Sequence, residues 1–398
     1  MDPRCISSYT DKALISSVAF CTDDTSFVTG GIDKCIRLHQ VEKSTREIKY
    51  KCESAVRCVA LAPNGKCMFG GDENGKIWMK ALSVSQQKED ADSFVAHFKA
   101  INSIAFSPDG TRYTTASNDG TAKIFEYPTN NFVASFKGHT HWVLSSEFSP
   151  DSNVIVTAGE DKTCRIWDVL NKEKPRVFGK FPASVTHATF HPSGTIVGVA
   201  LADGSFLLID VRNEKTIQYY PKAHNGPITA LRFHPSGSFA LTSSTDKTLS
   251  IWDLIEGLKF YTIDGFADEV VDCKWSSNGS KFIACTKSGE VKTFSTNFDK
   301  LIKTIENTTS TAGSASDSRI DEATGVMNPE LKRGHPPKKE SKPKQEDMTP
   351  EERDAKITAA LTKMLNQVEI LTKSAAMMTE RVNMQAKTVE RLQAAYNQ

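Results

Sequence analysis

No stretch of this chain stays apolar for long, and no run of 18 apolar residues occurs in its 398 residues. A membrane-spanning helix needs about 20 such residues, so none is predicted. Excess charge of one sign is lacking as well. Lys and Arg number 49 against 48 Asp and Glu, a formal net charge of +1. That balance gives no general attraction to nucleic acid or to a membrane surface. The nine cysteines, at positions 5, 21, 35, 52, 58, 67, 164, 273 and 285, contain no C-x-x-C pair. That spacing argues against a zinc site, and their placement inside strand-like patterns argues against a disulfide framework. Cys acts there as a small buried hydrophobe, which suits a reducing compartment, cytosol or nucleus. The Met1-Asp-Pro-Arg4 start has no apolar h-region, so no secretory signal is expected.

What is present is a repeat. A bulky apolar residue followed thirteen positions later by a turn residue recurs seven times. The apolar members are Phe20, Leu61, Phe106, Phe148, Phe190, Phe233 and Trp275. Their partners are Asp33, Asn74, Asp119, Asp161, Asp203, Asp246 and Ser288. Successive copies are offset by 41, 45, 42, 42, 43 and 42 residues. Strand-like content at that period predicts an all-β propeller of seven four-stranded blades over residues 1–300. The opening Arg4-Cys-Ile-Ser-Ser-Tyr9 is placed to supply the outer strand of the last blade and close the ring. The offset of 45 reflects a polar insertion, Ser83 to Ser93, between blades 2 and 3.

The fourth copy is written most fully: Gly138-His-Thr-His-Trp-Val143, the turn Ser149-Pro-Asp-Ser152, then Thr157, Asp161 and Trp167-Asp168. These residues resemble the WD40 repeat. The resemblance implies a buried hydrogen-bonded chain of His, Ser or Thr, Asp and Trp in each full blade. It assigns His139, Thr157, Asp161 and Trp167 to blade 4, and His224, Thr242, Asp246 and Trp252 to blade 6. Blade 3 receives His97, Thr115 and Asp119, with Phe125 in the Trp place. The pattern decays elsewhere. Blade 1 has Asp11 in the His place and Leu38-His39 for Trp-Asp. Blade 2 has Cys52, Asn74 and a displaced Trp78. Blades 5 and 7 carry Phe181, Val199, Phe266 and Ser288. Those four blades are expected to rely more on apolar packing and to be softer.

No catalytic constellation stands out. His, Asp and Ser or Thr recur together, but a hydrolase triad would not be repeated blade by blade, and triads are recognised by geometry rather than spacing. Gly70-Gly-Asp-Glu-Asn-Gly75-Lys76 matches GxxxxGK but continues with Ile77, where a phosphate loop needs Ser or Thr, and it sits in a strand–turn–strand context. The sequence therefore predicts no enzyme, no cofactor and no metal site. Partners of WD-repeat proteins often dock on the top face. The positions six and four residues before the bulky apolar residue carry over as Arg57, Asn102, Trp142, Leu144, Thr186, Thr229, Glu269 and Val271. Trp142 is the strongest candidate there, as a large aromatic at a rim; packing on a neighbouring blade is its alternative role.

Residues 301–348 turn rich in Ser, Thr, Lys, Pro and Gly, the composition of a flexible linker. Within it, Lys332, Arg333, Lys338, Lys339, Lys342 and Lys344 face a single Glu340. Such a basic stretch suits an acidic surface, tubulin tails being one, or serves as a solvated linker or localisation signal. Thr349-Pro-Glu-Glu352 then reads as a capping box with Pro at the first helical position. Residues 349–398 carry a heptad seam of Ile357, Leu361, Met364, Val368, Leu371, Ala375, Met378, Val382, Gln385, Val389 and Leu392. Ten of these eleven are apolar, which predicts a coiled coil and self-association. An amphipathic helix lying on its own propeller is the alternative.

Taken with Gly138–Val143, the turns His191-Pro-Ser-Gly194 and His234-Pro-Ser-Gly237, Leu254-Ile-Glu-Gly257, Phe260-Tyr-Thr262, Thr296-Asn-Phe-Asp299, Gln367–Thr372 and Glu380-Arg-Val382, the chain resembles the centriolar WD-repeat family called proteome of centriole protein 1. The resemblance covers the propeller and the final helix. The Ser83–Ser93 insertion and the worn first two blades depart from it. It implies a scaffold of centrioles and basal bodies that binds tubulin and other centriolar proteins, stabilises triplet microtubules and supports cilium assembly, with neither nucleic acid nor membrane as partner. Two other readings stay open: a regulatory subunit similar to the WD-repeat subunit of katanin, and a generic WD-repeat adaptor.

Overall fold

A strand buries one face by alternation, and seven copies of the same alternating pattern must share that burial between neighbours. The computed structural model describes residues 3–11, 13–21, 24–41, 48–82, 92–171 and 174–296. The expected linker at 301–348, the Thr349 cap and every seam residue from Ile357 to Leu392 lie outside the described residues, as does most of the Ser83–Ser93 insertion. Among the described residues, 28 strands form seven antiparallel four-stranded sheets, six of them running in chain order from an innermost to an outermost strand.

Blade 4 shows how the local sequence makes one sheet. Its strands are Val143–Phe148, Val154–Gly159, Thr163–Asp168 and Arg176–Gly179. The Ser149–Ser152 turn is held from inside. Ser149 Oγ accepts from the Val154 N–H at 3.1 Å, and Asp151 accepts from the Asn153 N–H at 3.2 Å. The next turn needs a left-handed residue, and Lys162 takes φ 62°. The corresponding residue is left-handed in all seven blades: Lys34, Gly75, Gly120, Lys162, Gly204, Lys247 and Gly289. Gly75 is demanding for a second reason. A Cβ there would stand 2.1 Å from the His97 carbonyl oxygen.

The innermost strands are Ile15–Phe20, Val56–Leu61, Ile101–Phe106, Val143–Phe148, Val185–Phe190, Ile228–Phe233 and Val270–Trp275. They pack side by side in a closed cycle, the last against the first. The last blade is completed by the first strand of the chain, Arg4–Thr10, which pairs antiparallel with Glu290–Ser295. The first strand thereby covers an edge that would otherwise present unpaired N–H and C=O groups.

The core is a ring of seven apolar seams, one between each pair of adjacent blades. Val156, Ile166, Phe178, Val185, Val199 and Ile209 fill the seam between blades 4 and 5. Ile15, Val18 and Phe27 meet Ile283, Cys285 and Val291 where blade 1 closes on blade 7. Each fully buried aliphatic side chain contributes roughly 1.5–3 kcal/mol. The lower turns are stitched as well. His191 Nε2–H donates to the Gly237 carbonyl at 2.8 Å, and His234 Nε2–H to the Gly279 carbonyl at 3.1 Å, each reaching into the following blade.

Candidate functional site

Every innermost strand carries a β-bulge at the same place, between its first and third residues. A bulge re-aims a side chain. The seven bulged residues are Ser16, Arg57, Asn102, Leu144, Thr186, Thr229 and Val271, and together they line the mouth of the central channel. Six of them are the positions four residues before the repeat's apolar member that the sequence singled out for the top face. Ser16 is the seventh and was passed over.

These residues are not equally available to a partner. Asn102 donates through Nδ2 to the Val143 carbonyl of the next blade at 2.8 Å, and Thr229 Oγ1–H to the Val270 carbonyl at 2.7 Å. Ser16 does the same to Val56 at 2.5 Å. Thr186 turns back to the Ala200 carbonyl at 3.2 Å in its own blade. The sequence-based expectation of free rim positions is therefore corrected for Asn102, Thr186 and Thr229. A bulged polar side chain at the ring's inner edge finds a backbone acceptor within reach and is consumed as a staple. Arg57 is exposed, and Leu144, Val271 and Glu269 are half-buried, with Glu269 paired to Lys287 at 3.3 Å.

Trp142 is 42% exposed, with its ring 5.3 Å from that of His141, which itself pairs with Glu160 at 2.7 Å. Phe98 is 91% exposed, in the corresponding loop of the adjacent blade 3. Its backbone N–H is fixed by Asp119 at 3.4 Å, and Lys123 Nζ lies 5.7 Å from the ring centre. Sequence reasoning missed Phe98. The available signal was comparative: the sister loops carry Thr140, Pro182, Asn225 and Ala267 at that place.

Beneath the rim, polar chains fix the loops. In blade 4, Trp167 Nε1–H can only donate, and does so to Thr157 Oγ1 at 2.9 Å. Thr157 in turn reaches His139 Nε2 at 2.8 Å, leaving Nδ1–H for Asp161 at 3.0 Å. Asp161 also accepts from the Thr140 N–H at 3.1 Å. Blade 6 repeats this through Trp252, Thr242, His224 and Asp246 at 2.8, 2.8 and 3.1 Å. In blade 3 the distances are 2.8 Å for His97–Thr115 and 2.8 Å for His97–Asp119, while Phe125 stacks on Tyr113. Burial lowers the pKa of His97, His139 and His224 despite their carboxylate partners. For Asp161, burial opposes charge, but the hydrogen bonds from Thr163 and His139 outweigh it and hold the pKa down.

Blades 1 and 2 replace this chain rather than relying on apolar packing alone. Strand pairing puts His39, not Leu38, in the place of Trp167, since His39 pairs Phe27 as Trp167 pairs Ile155. His39 Nε2 meets Thr29 Oγ1 at 3.0 Å, and burial lowers its pKa to about 4. The His–Asp pair gives way to a buried Arg37 between Asp11 at 2.8 Å and Asp33 at 3.0 Å. In blade 2, Trp78 pairs Gly70 as Arg165 pairs Thr157, two residues earlier than Trp167. Its Nε1–H reaches Asp72 at 2.9 Å, and Asp72 also accepts from Ser54 Oγ–H at 2.5 Å and from the Asn74 and Lys76 N–H groups at 2.9 and 2.8 Å. Asp72 was missed because the turn position, Asn74, was read for the acid.

The arrangement offers fixed loops that present Phe98 and Trp142. Among the described residues, no group of three or more His, Cys, Asp or Glu is placed to hold a metal ion. The family model for the WD domain, G-beta repeat, matches residues 3–40, 89–126, 130–168 and 215–253. With seven four-stranded blades, the chain is a WD40-repeat propeller. Parts of it are similar to p21-activated protein kinase-interacting protein 1-like of Gallus gallus, 44% identical over 62 residues, 16% of each chain. Serine-threonine kinase receptor-associated protein of Gallus gallus is 27% identical over 93 residues, 23% of this chain and 26% of that one. Eukaryotic translation initiation factor 3 subunit I of Bombyx mori is 28% identical over 133 residues, 31% and 40%. The chain spans less than half the length of each of these relatives. Their names are not those of centriolar proteins, and what they share with this chain is the WD repeat.

Proposed function

We propose that this protein is a non-enzymatic scaffold of centrioles and basal bodies, holding tubulin or a neighbouring protein on its propeller and joining copies through residues 349–398. The observation that carries the binding role is the pair Phe98 and Trp142, exposed on one face of adjacent blades beside an Asn102 that is used within the ring. Aromatics held on rigid loops are favoured anchors of interfaces. The centriolar setting is supported by the sequence resemblance from Gly138–Val143 through Glu380–Val382. The basic stretch from Lys332 to Lys344 complements acidic tubulin tails. Two weak contacts on one chain gain avidity on a periodic lattice through effective concentration.

The test is the location of tagged full-length protein in ciliated cells beside a version ending at residue 306. Detergent-resistant foci at centrioles or basal bodies support the reading. Loss of foci on truncation assigns targeting to the tail, and retention assigns it to the propeller. A diffuse or nuclear full-length protein overturns the centriolar setting.

A further inference from the structure

The central channel has two unlike halves. One residue before the repeat's large apolar member, blades 1 to 3 place Ala19, Ala60 and Ala105, whereas blades 4 to 7 place Glu147, Thr189, Arg232 and Lys274. The alanines leave space. A cavity of about 310 Å³ is bounded by all three together with Glu147, Arg232 and Lys274. A second space of about 110 Å³, toward the mouth, is lined by His187, Arg232, Asp272, Lys274 and Arg57.

The polar groups on the charged side are left over from a pattern that blades 1, 4 and 7 share. Three residues before the apolar member, a short side chain reaches the next blade's backbone. Ser17 accepts from the Val59 N–H at 3.3 Å, Ser145 from Ala188 at 3.0 Å, and Asp272 from Val18 at 3.3 Å. Blade 5 has His187 there instead. It is only 7% exposed, and its Nδ1 has no hydrogen-bond partner. Blade 6 has Ala230, which cannot staple. Arg232 Nε is likewise without a partner, and its terminal nitrogens have carboxylates only at 3.5 Å (Glu147) and 3.8 Å (Asp272). Asp272 is already committed to Ser17, Val18 and Cys273. A buried donor without an acceptor costs about 1–3 kcal/mol, and a charged one more. Burial and Arg232 together lower the pKa of Lys274, and burial holds His187 neutral with one N–H to offer.

We propose that the channel is a binding site for a small oxyanion of the phosphate type, held between Lys274, Arg232 and His187. The anion gives the Arg232 Nε–H, and the Nδ1–H tautomer of His187, an acceptor and offsets two half-buried cations on the side where blades 5 and 6 lack their staples. Three alanines opposite supply the room.

The experiment is titration of the full chain with inorganic phosphate, read by phosphorus NMR line broadening at constant ionic strength. Saturable binding is expected. Loss of one charge-assisted contact in Lys274→Met should weaken it about tenfold or more. Glu147→Gln removes the carboxylate that competes for Arg232 and should tighten it, which keeps the test decisive if Lys274→Met fails to fold. Arg212→Gln, on an exposed arginine outside the channel, should change nothing. Absence of saturable binding overturns the proposal. So does binding that Lys274→Met and Glu147→Gln leave unchanged, which would place the phosphate on the basic stretch around Lys332 to Lys344.

Discussion

Thr157 sits at the centre of its blade's polar chain, because one hydroxyl serves both His139 and Trp167. Thr157→Val keeps the shape and strips both partners, and should lower stability by about 2–4 kcal/mol, read as the shift of a urea or thermal transition, with Thr157→Ser close to wild type. Asp72 holds more partners still. Asp72→Ala leaves Ser54, Trp78 and two backbone N–H groups without an acceptor, and a loss of about 3–5 kcal/mol is expected from the same measurement. The buried histidines set a pH dependence. Burial lowers the pKa of His39 to about 4 and shifts His97, His139 and His224 downward from the ordinary 6.5. The unfolded chain then binds protons the folded chain refuses. Their stabilisation is complete above about pH 6.5 and is lost as pH falls toward 4. Melting temperature should drop between about pH 7 and pH 5, and His39→Phe, which still stacks on Phe27, should reduce the drop. An unchanged pH dependence in that variant would remove His39 from the account.

Elements were legible where local rules decide and obscure where pairing decides. The thirteen-residue spacing placed every innermost strand and its turn, since an alternating strand and a tight turn are short-range features. The role of Arg4–Tyr9 was also legible, because a lone strand ahead of the first repeat has one free edge to cover. The place of Trp was read as Leu38, one residue short of His39, which follows Asp33 by six residues as Trp167 follows Asp161; a slip of one residue reverses which face a side chain takes, and the pairing with Phe27 shows it. Asp72 was hidden for a related reason. It substitutes for a missing histidine from a different strand position, so no column of the repeat announces it. The closing strand yields its own prediction. Deleting residues 1–10 exposes the Glu290–Ser295 edge, and should give a lower melting temperature and self-association on size-exclusion chromatography. A monomer as stable as the full chain would show that Arg4–Thr10 is dispensable for closure.

At the scale of the whole molecule, the ring separates two tasks. Seams, tetrads and staples hold seven blades together and use up most of the buried polar groups that a sequence would nominate as a site. What the top-face loops leave exposed among the described residues includes Phe98, Trp142, Leu14 and Arg57. The site was thus half legible. The bulged positions were found by spacing, yet spacing could not tell a staple such as Asn102 from an exposed side chain such as Arg57. It could not find Phe98, which belongs to the loop rather than to the repeat. The most direct measurement is co-sedimentation of the full-length protein with stabilised microtubules, wild type beside Phe98→Ala/Trp142→Ala. Saturable pelleting is expected, weakened in the double variant while its melting temperature is retained. Wild-type protein that stays in the supernatant, or a double variant that pellets equally well, would contradict it.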